Sequence, residues 1–117
     1  MIVITRSDIQ PGSQIAQSGH AISQFFIEHP LLASQWNNNF LISLSVNSEK
    51  NLYTILNKIQ ESGTSVSYFI EPDLGNQLTS ICFIENEFTK KITRYLPLSL
   101  KESNKQLNQK NHELDYI

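Results

Sequence analysis

Apolar positions follow two rhythms along this chain. Short runs of β-branched and aromatic residues alternate with longer stretches in which apolar residues recur every three or four positions. Residues 2–5 form a compact apolar run closed by Arg6-Ser7-Asp8, the pattern of a strand buried on both faces. Across residues 11–29, Ile15, Gly19, Ile22 and Phe26 fall on one stripe at helical spacing, and Phe25 widens it. That stripe is the expected buried face of a first helix. Pro11 suits the first helical position, where a missing N–H costs nothing, and Pro30 stops or bends the helix. Residues 31–36 permit a further helical turn, and Asn37-Asn38-Asn39 a turn.

Residues 40–46 are rich in strand formers and predict a second strand. Asn47 or Ser48 then caps a helix whose buried stripe is Leu52, Ile55, Leu56 and Ile59, with Gly63 at its end. Residues 66–70 and 78–84 read as third and fourth strands joined by the loop 72–77. Residues 85–96 read as a last helix, with acids at its start and Lys90, Lys91 and Arg94 toward its end, matching the helix dipole. The order is β-α-β-α-β-β-α. A right-handed crossover makes the first two strands parallel, and the short link between the last two permits an antiparallel pair. The expected fold class is α/β, a three-layer α-β-α arrangement around a mixed four-stranded sheet. Such sheets bind ligands at the carboxyl ends of parallel strands. That places residues 8–12 and the start of the first helix at the site.

At 117 residues the chain has room for one domain, expected over residues 1–98. The segment 99–117 is polar, rich in Lys, Asn and Gln, and is expected to add little to a core. The formal charge of -2 carries no basic excess, so any nucleic-acid contact must be local. Lys90, Lys91 and Arg94 are the densest basic cluster, read mainly as a helix C-terminal pattern and otherwise as a phosphate contact. A single cysteine, Cys82, excludes an internal disulfide and a multi-cysteine metal site; inside an apolar run it reads as an inert buried thiol. No stretch has signal-peptide or membrane-span character, which leads to the expectation of a soluble cytoplasmic protein.

The candidate chemistry gathers on the first helix. Ser13, Gln17, His20 and Gln24 share a face of hydroxyl, amide and imidazole groups, where an ordinary solvated face carries Lys and Glu. His20 has the side chain to act as a general base on water, because its ordinary pKa is near neutral. Asp73, between Pro72 and Leu74-Gly75, reads equally as a residue orienting His20 or the water and as a turn aspartate. Gln17 and Asn76 carry amide donors suited to a carbonyl or to ribose hydroxyls. Asp8 reads as a helix-entry residue, with holding Arg6 as the other possibility. Ser13 is no nucleophile for His20, since seven residues of helix separate them by about 10 Å along the axis.

Arg6-Ser7-Asp8-Ile9 followed by Ala16-Gln17, His20 and Ala21 resembles the opening of the peptidyl-tRNA hydrolase 2 family. That opening is a strand ending Arg-x-Asp-Leu, then a Gly-Lys-rich loop, then Ala-Ala-Gln-x-x-His-Ala on a helix. Val46-Asn47-Ser48-Glu49 is similar to the family's strand-to-helix junction, and Asp73-x-Gly75 to the start of its Asp-Ala-Gly-Arg-Thr-Gln loop. The family's lysine falls at Ser13, its loop arginine near Asn76, and its loop threonine near Gln77, with Thr79 two residues on. The resemblance spans residues 1–98. It implies an esterase that cleaves the bond between a peptide or aminoacyl group and tRNA, with His20 and Asp73 catalytic and Ser13, Gln17, Asn76 and Thr79 binding substrate. It further implies tRNA or peptidyl-tRNA as partner, a possible homodimer, no membrane, and neither cofactor nor metal. The alternative is a non-catalytic RNA- or protein-binding module, regulatory or toxin-immunity, on the same scaffold, which the loss of the lysine favours.

Overall fold

The structure is a computed structural model, and it describes residues 1–101. In chain order the elements are β1 (Ile2–Arg6), α1 (Pro11–Glu28), α2 (Pro30–Gln35), β2 (Ile42–Val46), α3 (Glu49–Glu61), β3 (Val66–Glu71), a single 3₁₀ turn (Pro72–Leu74), β4 (Gln77–Phe83) and α4 (Glu87–Thr93). The fold is α/β with one mixed sheet in the order β2-β1-β4-β3. β1 runs parallel to β2, with Ile2 opposite Ile42 and Arg6 opposite Val46, and antiparallel to β4, with Ile2 opposite Phe83. β3 pairs antiparallel with β4 at the edge. Local signals account for the boundaries. The Ser48 hydroxyl accepts the Asn51 N–H at the start of α3, and Asn86 and Thr89 form a reciprocal cap on α4.

Strand alternation divides the core in two. Ile2, Ile4, Leu78, Ile81 and Phe83 pack with Leu52, Leu56 and Ile59 of α3. From the opposite side of the pleat, Val3 and Cys82 pack with Ala21 and Phe25 of α1 and Ala33 of α2. Cys82 is fully buried, and burial pushes its thiol up to about 12, so thiolate chemistry is closed to it near neutral pH.

The docking face of α1 differs from the expected one. The buried residues are Gln14, Gln17, Ala21 and Phe25, whereas Ile15 is 65% exposed and Phe26 42% exposed. The cause lies in the sheet. Toward the carboxyl end of β1, the surface that α1 covers is polar: the Thr5 and Ser18 hydroxyls bond each other, and Ser80 donates to the Gln17 carbonyl. A stripe of isoleucines there would strand those hydroxyls, so the amide-bearing stripe faces in. Phe25 meets the apolar part, over Val3 and Cys82.

Beyond α4 the chain continues in contact with the domain. The Ser45 N–H donates to Pro97 O at 2.9 Å and the Ser99 N–H to Ser43 O at 2.8 Å, which covers the free edge of β2. Ser99, the first residue of the segment expected as a tail, thus bonds to β2; residues 102–117 of that segment lie outside the described part of the chain.

Two adjacent phenylalanines separate the observed face of α1 from the expected one. Phe25→Ala is expected to cost about 3–5 kcal/mol in urea unfolding, the scale for truncating a buried aromatic. Phe26→Ala is expected to cost under about 1 kcal/mol. Equal losses, or the reverse order, would contradict this packing.

Candidate functional site

The candidate site is built on a register shift. Phe69 of β3 pairs with Ser80 of β4, but the next residue, Ile70, pairs with Leu78, so Thr79 is an extra residue in β4. Such a bulge puts two consecutive side chains on one face of the sheet. Both are turned on Gln17: the Thr79 hydroxyl donates to Gln17 Oε1 at 2.7 Å and the Ser80 hydroxyl to the Gln17 backbone oxygen. Thr79 also reaches Phe69 O at 3.4 Å.

The rest of the Gln17 amide holds a carboxylate. Gln17 Nε2 donates to Glu71 Oε2 at 2.9 Å, and the other oxygen of Glu71 accepts the Asp73 N–H at 3.1 Å. Glu71, at the end of β3, thus caps the 3₁₀ turn of the loop after it. The Gln17 amide and the Asp73 N–H hold its carboxyl below the ordinary glutamate range; burial opposes them and the charge of His20 assists. The loop then turns through two consecutive left-handed residues, Gly75 (φ 68°) and Asn76 (φ 59°), and the Asn76 N–H closes on Glu71 O at 3.0 Å. Asparagine tolerates that conformation better than most side chains.

His20 lies one turn beyond Gln17. Its ring is exposed and stacks on Phe69, with centroids 4.4 Å apart and planes at 17°. Among the described residues no hydrogen bond engages its ring nitrogens. The structure also makes no hydrogen bond or ion pair between His20 and Asp73; the carboxylate whose field reaches His20 is Glu71. Asp73 and Asn76 are exposed on the loop, and Ser13 is exposed in the first turn of α1. Gln17 and Thr79, by contrast, are buried and bonded to each other. Two of the four residues expected to touch substrate are therefore internal supports, and two stand at the surface.

A second cluster ties the neighbouring loop down. Arg6 binds Asp8 in a two-pronged ion pair at 2.9 and 2.8 Å, and its remaining nitrogen reaches Gln77 Oε1 at 2.8 Å and Leu78 O at 3.1 Å. The pairing holds the Asp8 carboxyl below, and the Arg6 guanidinium above, its ordinary range. Asp8 is thus the acceptor for Arg6, and helix entry falls to Gln10, which makes no side-chain cap. Gln14 secures the same loop by donating to Ile9 O at 2.7 Å. The basic cluster stands elsewhere. Ile92 of α4 packs into the α3-side core, Lys90 lies 3.8 Å from Glu87, and Arg94 covers the Tyr95 ring.

Glu71 and Gln14 are the members that sequence reasoning passes over. Glu71 carried a usable signal, an acid directly before Pro72 at a strand end. Gln14 carried none, because an inward amide and an outward one look alike in sequence. The depressed Glu71 carboxyl makes a pH prediction. Its stabilising contribution is complete above the ordinary glutamate pKa of about 4.3 and is lost as pH falls through its lower folded value. Glu71→Gln should therefore lower the melting temperature at pH 7, with the gap to wild type closing below about pH 4. A gap independent of pH would show that the carboxylate charge does no stabilising there.

No protein-family model matches the chain, and no curated protein matches it significantly. Among the described residues no helix is long and apolar enough to cross a membrane. Among solved structures, a protein of unknown function from Agrobacterium tumefaciens superposes with a TM-score of 0.64 at 12% identity, over 83% of this chain and 94% of its own. The likeness is one of fold alone.

Proposed function

We propose that the chain is a peptidyl-tRNA hydrolase-like esterase, cleaving the ester between a peptide or aminoacyl group and the 3′ ribose of tRNA. The observation that carries this reading is His20: an exposed imidazole braced on Phe69, beside a buried carboxylate and a loop held by it. His20 takes a proton from water as the water oxygen bonds to the ester carbonyl carbon. The ester C–O bond then breaks, and the proton passes to the ribose oxygen. Asp73 orients the water from the loop, while exposed Asn76 and Ser13 meet the polar groups of the substrate. Gln17 and Thr79 act as positioning residues that fix Glu71. A substrate made by translation implies a cytoplasmic site of action.

The second reading, a non-catalytic RNA- or protein-binding module, draws support from two observations: the Gln17 amide is taken up internally, and Asp73 does not touch His20.

Incubation with peptidyl-tRNA, without added metal, separates the two. Release of free tRNA is expected, with His20→Ala slowing it about a hundredfold or more, the usual scale for a general base. Ser13→Lys should hold or raise the rate, since a cation there binds phosphate or developing negative charge better than a hydroxyl does. No cleavage at high protein concentration favours the binding module, and cleavage unaffected by His20→Ala places the chemistry elsewhere.

A further inference from the structure

β1 and β2 are parallel neighbours, yet the chain leaves them toward opposite sides of the sheet. After β1 it enters α1, which packs over Val3 and Cys82; after β2 it enters α3, which packs over Ile2 and Ile4. Two loops that part in this way leave a crevice at the carboxyl ends of their strands, where open α/β sheets hold ligands. A cavity of about 400 Å³ lies there, within the range of small-molecule sites. It is separate from His20, Glu71 and Asp73, none of which lines it.

The lining has a definite chemical character. Its apolar part is Val46, Ile55, Leu96 and Pro97. Its polar part includes Ser7, Asn47, Asn51 and Thr54, and among the described residues no charged side chain lines it. A charged ligand group would enter without a counter-ion, so a neutral group is selected. The two asparagines say more. Asn51 Nδ2 donates to Asn47 Oδ1, which leaves the Asn47 NH₂ as donor and Asn51 Oδ1 as acceptor. Exchanging O and N in both amides still leaves one donor and one acceptor on the pair. The edge of a nucleobase likewise presents both donors and acceptors, and carboxamides are among the groups that read it. The Thr54 hydroxyl donates to Lys50 O and so keeps its lone pairs for a ligand.

We propose that the crevice between β1 and β2 binds a neutral nucleobase, its face against Val46, Ile55 and Leu96 and its edge against Asn47 and Asn51. The proposal stands independently of the hydrolase reading. The source of the base, a free nucleoside or a residue of single-stranded RNA, follows from the test.

The test is titration of the full chain, labelled with ¹⁵N, with adenosine and with an adenylate RNA hexamer, following the side-chain amide signals of Asn47 and Asn51. Saturable shifts of both are expected. Equal affinity for the two probes identifies the free nucleoside as the ligand, and tighter hexamer binding identifies a base within RNA. Asn51→Leu should weaken binding about tenfold or more. This variant keeps the backbone N–H that bonds Ser48, and its own side chain is exposed, so the fold is retained. Thr54→Val, also exposed, supplies a second check with a smaller loss. No saturable shift at millimolar adenosine or hexamer, or unchanged affinity in Asn51→Leu, overturns the proposal.

Discussion

The Gln17 amide, buried where α1 meets the sheet, has partners for both its oxygen and its nitrogen, and those partners order much of what surrounds it. An unmet group there costs about 1–3 kcal/mol. The partners come from two strands at once. Thr79 of β4 gives a proton to the oxygen, and Glu71 of β3 takes one from the nitrogen. Thr79 reaches Gln17 only because the bulge adds a residue to β4. Glu71, fixed from one side, caps the 3₁₀ turn with its other oxygen. One side chain thus sets the rotation of α1, the register of the β3–β4 pair and the course of the loop 72–76.

The same constraint explains which parts of the structure were legible in the sequence. Elements whose signals are local were readable: the β-branched run of β1, the Leu52-Leu56-Ile59 stripe of α3, the Ser48 cap and the antiparallel β3–β4 pair. The polar face of α1 was visible as a pattern, but its direction was not readable: Gln17 is buried while Ser13 and His20 are exposed. Counting hydrophobic residues turns Ile15 and Phe26 inward, and only the hydroxyls of Thr5, Thr79 and Ser80, distant in sequence, turn Gln17 and Ser18 there instead. The bulge has no marker of its own. Thr79-Ser80-Ile81 reads as ordinary strand, and the extra residue exists only in relation to β3.

His20 owes its setting to these supports. The ring stacks on Phe69, the last residue of β3 before the register shifts. On the other side of β1, the Arg6–Asp8 pair and the Gln14–Ile9 bond stiffen the loop into α1. Glu49 adds a third tie, accepting the Leu78 N–H at 2.8 Å and joining α3 to the start of β4. Both the His20 surface and the β1–β2 crevice therefore adjoin loops tied down by side-chain hydrogen bonds.

The central claim is that Gln17 and Thr79 act as one unit. A double-mutant cycle of Gln17→Leu and Thr79→Val, read by urea unfolding, tests it most directly. Each single change strands a buried partner, so each alone should be costly, while the double change removes both groups together. The expected coupling is about 1 kcal/mol or more, with the double variant markedly more stable than the sum of the single losses predicts. Strict additivity would mean that the two side chains do not depend on each other, and would contradict the account.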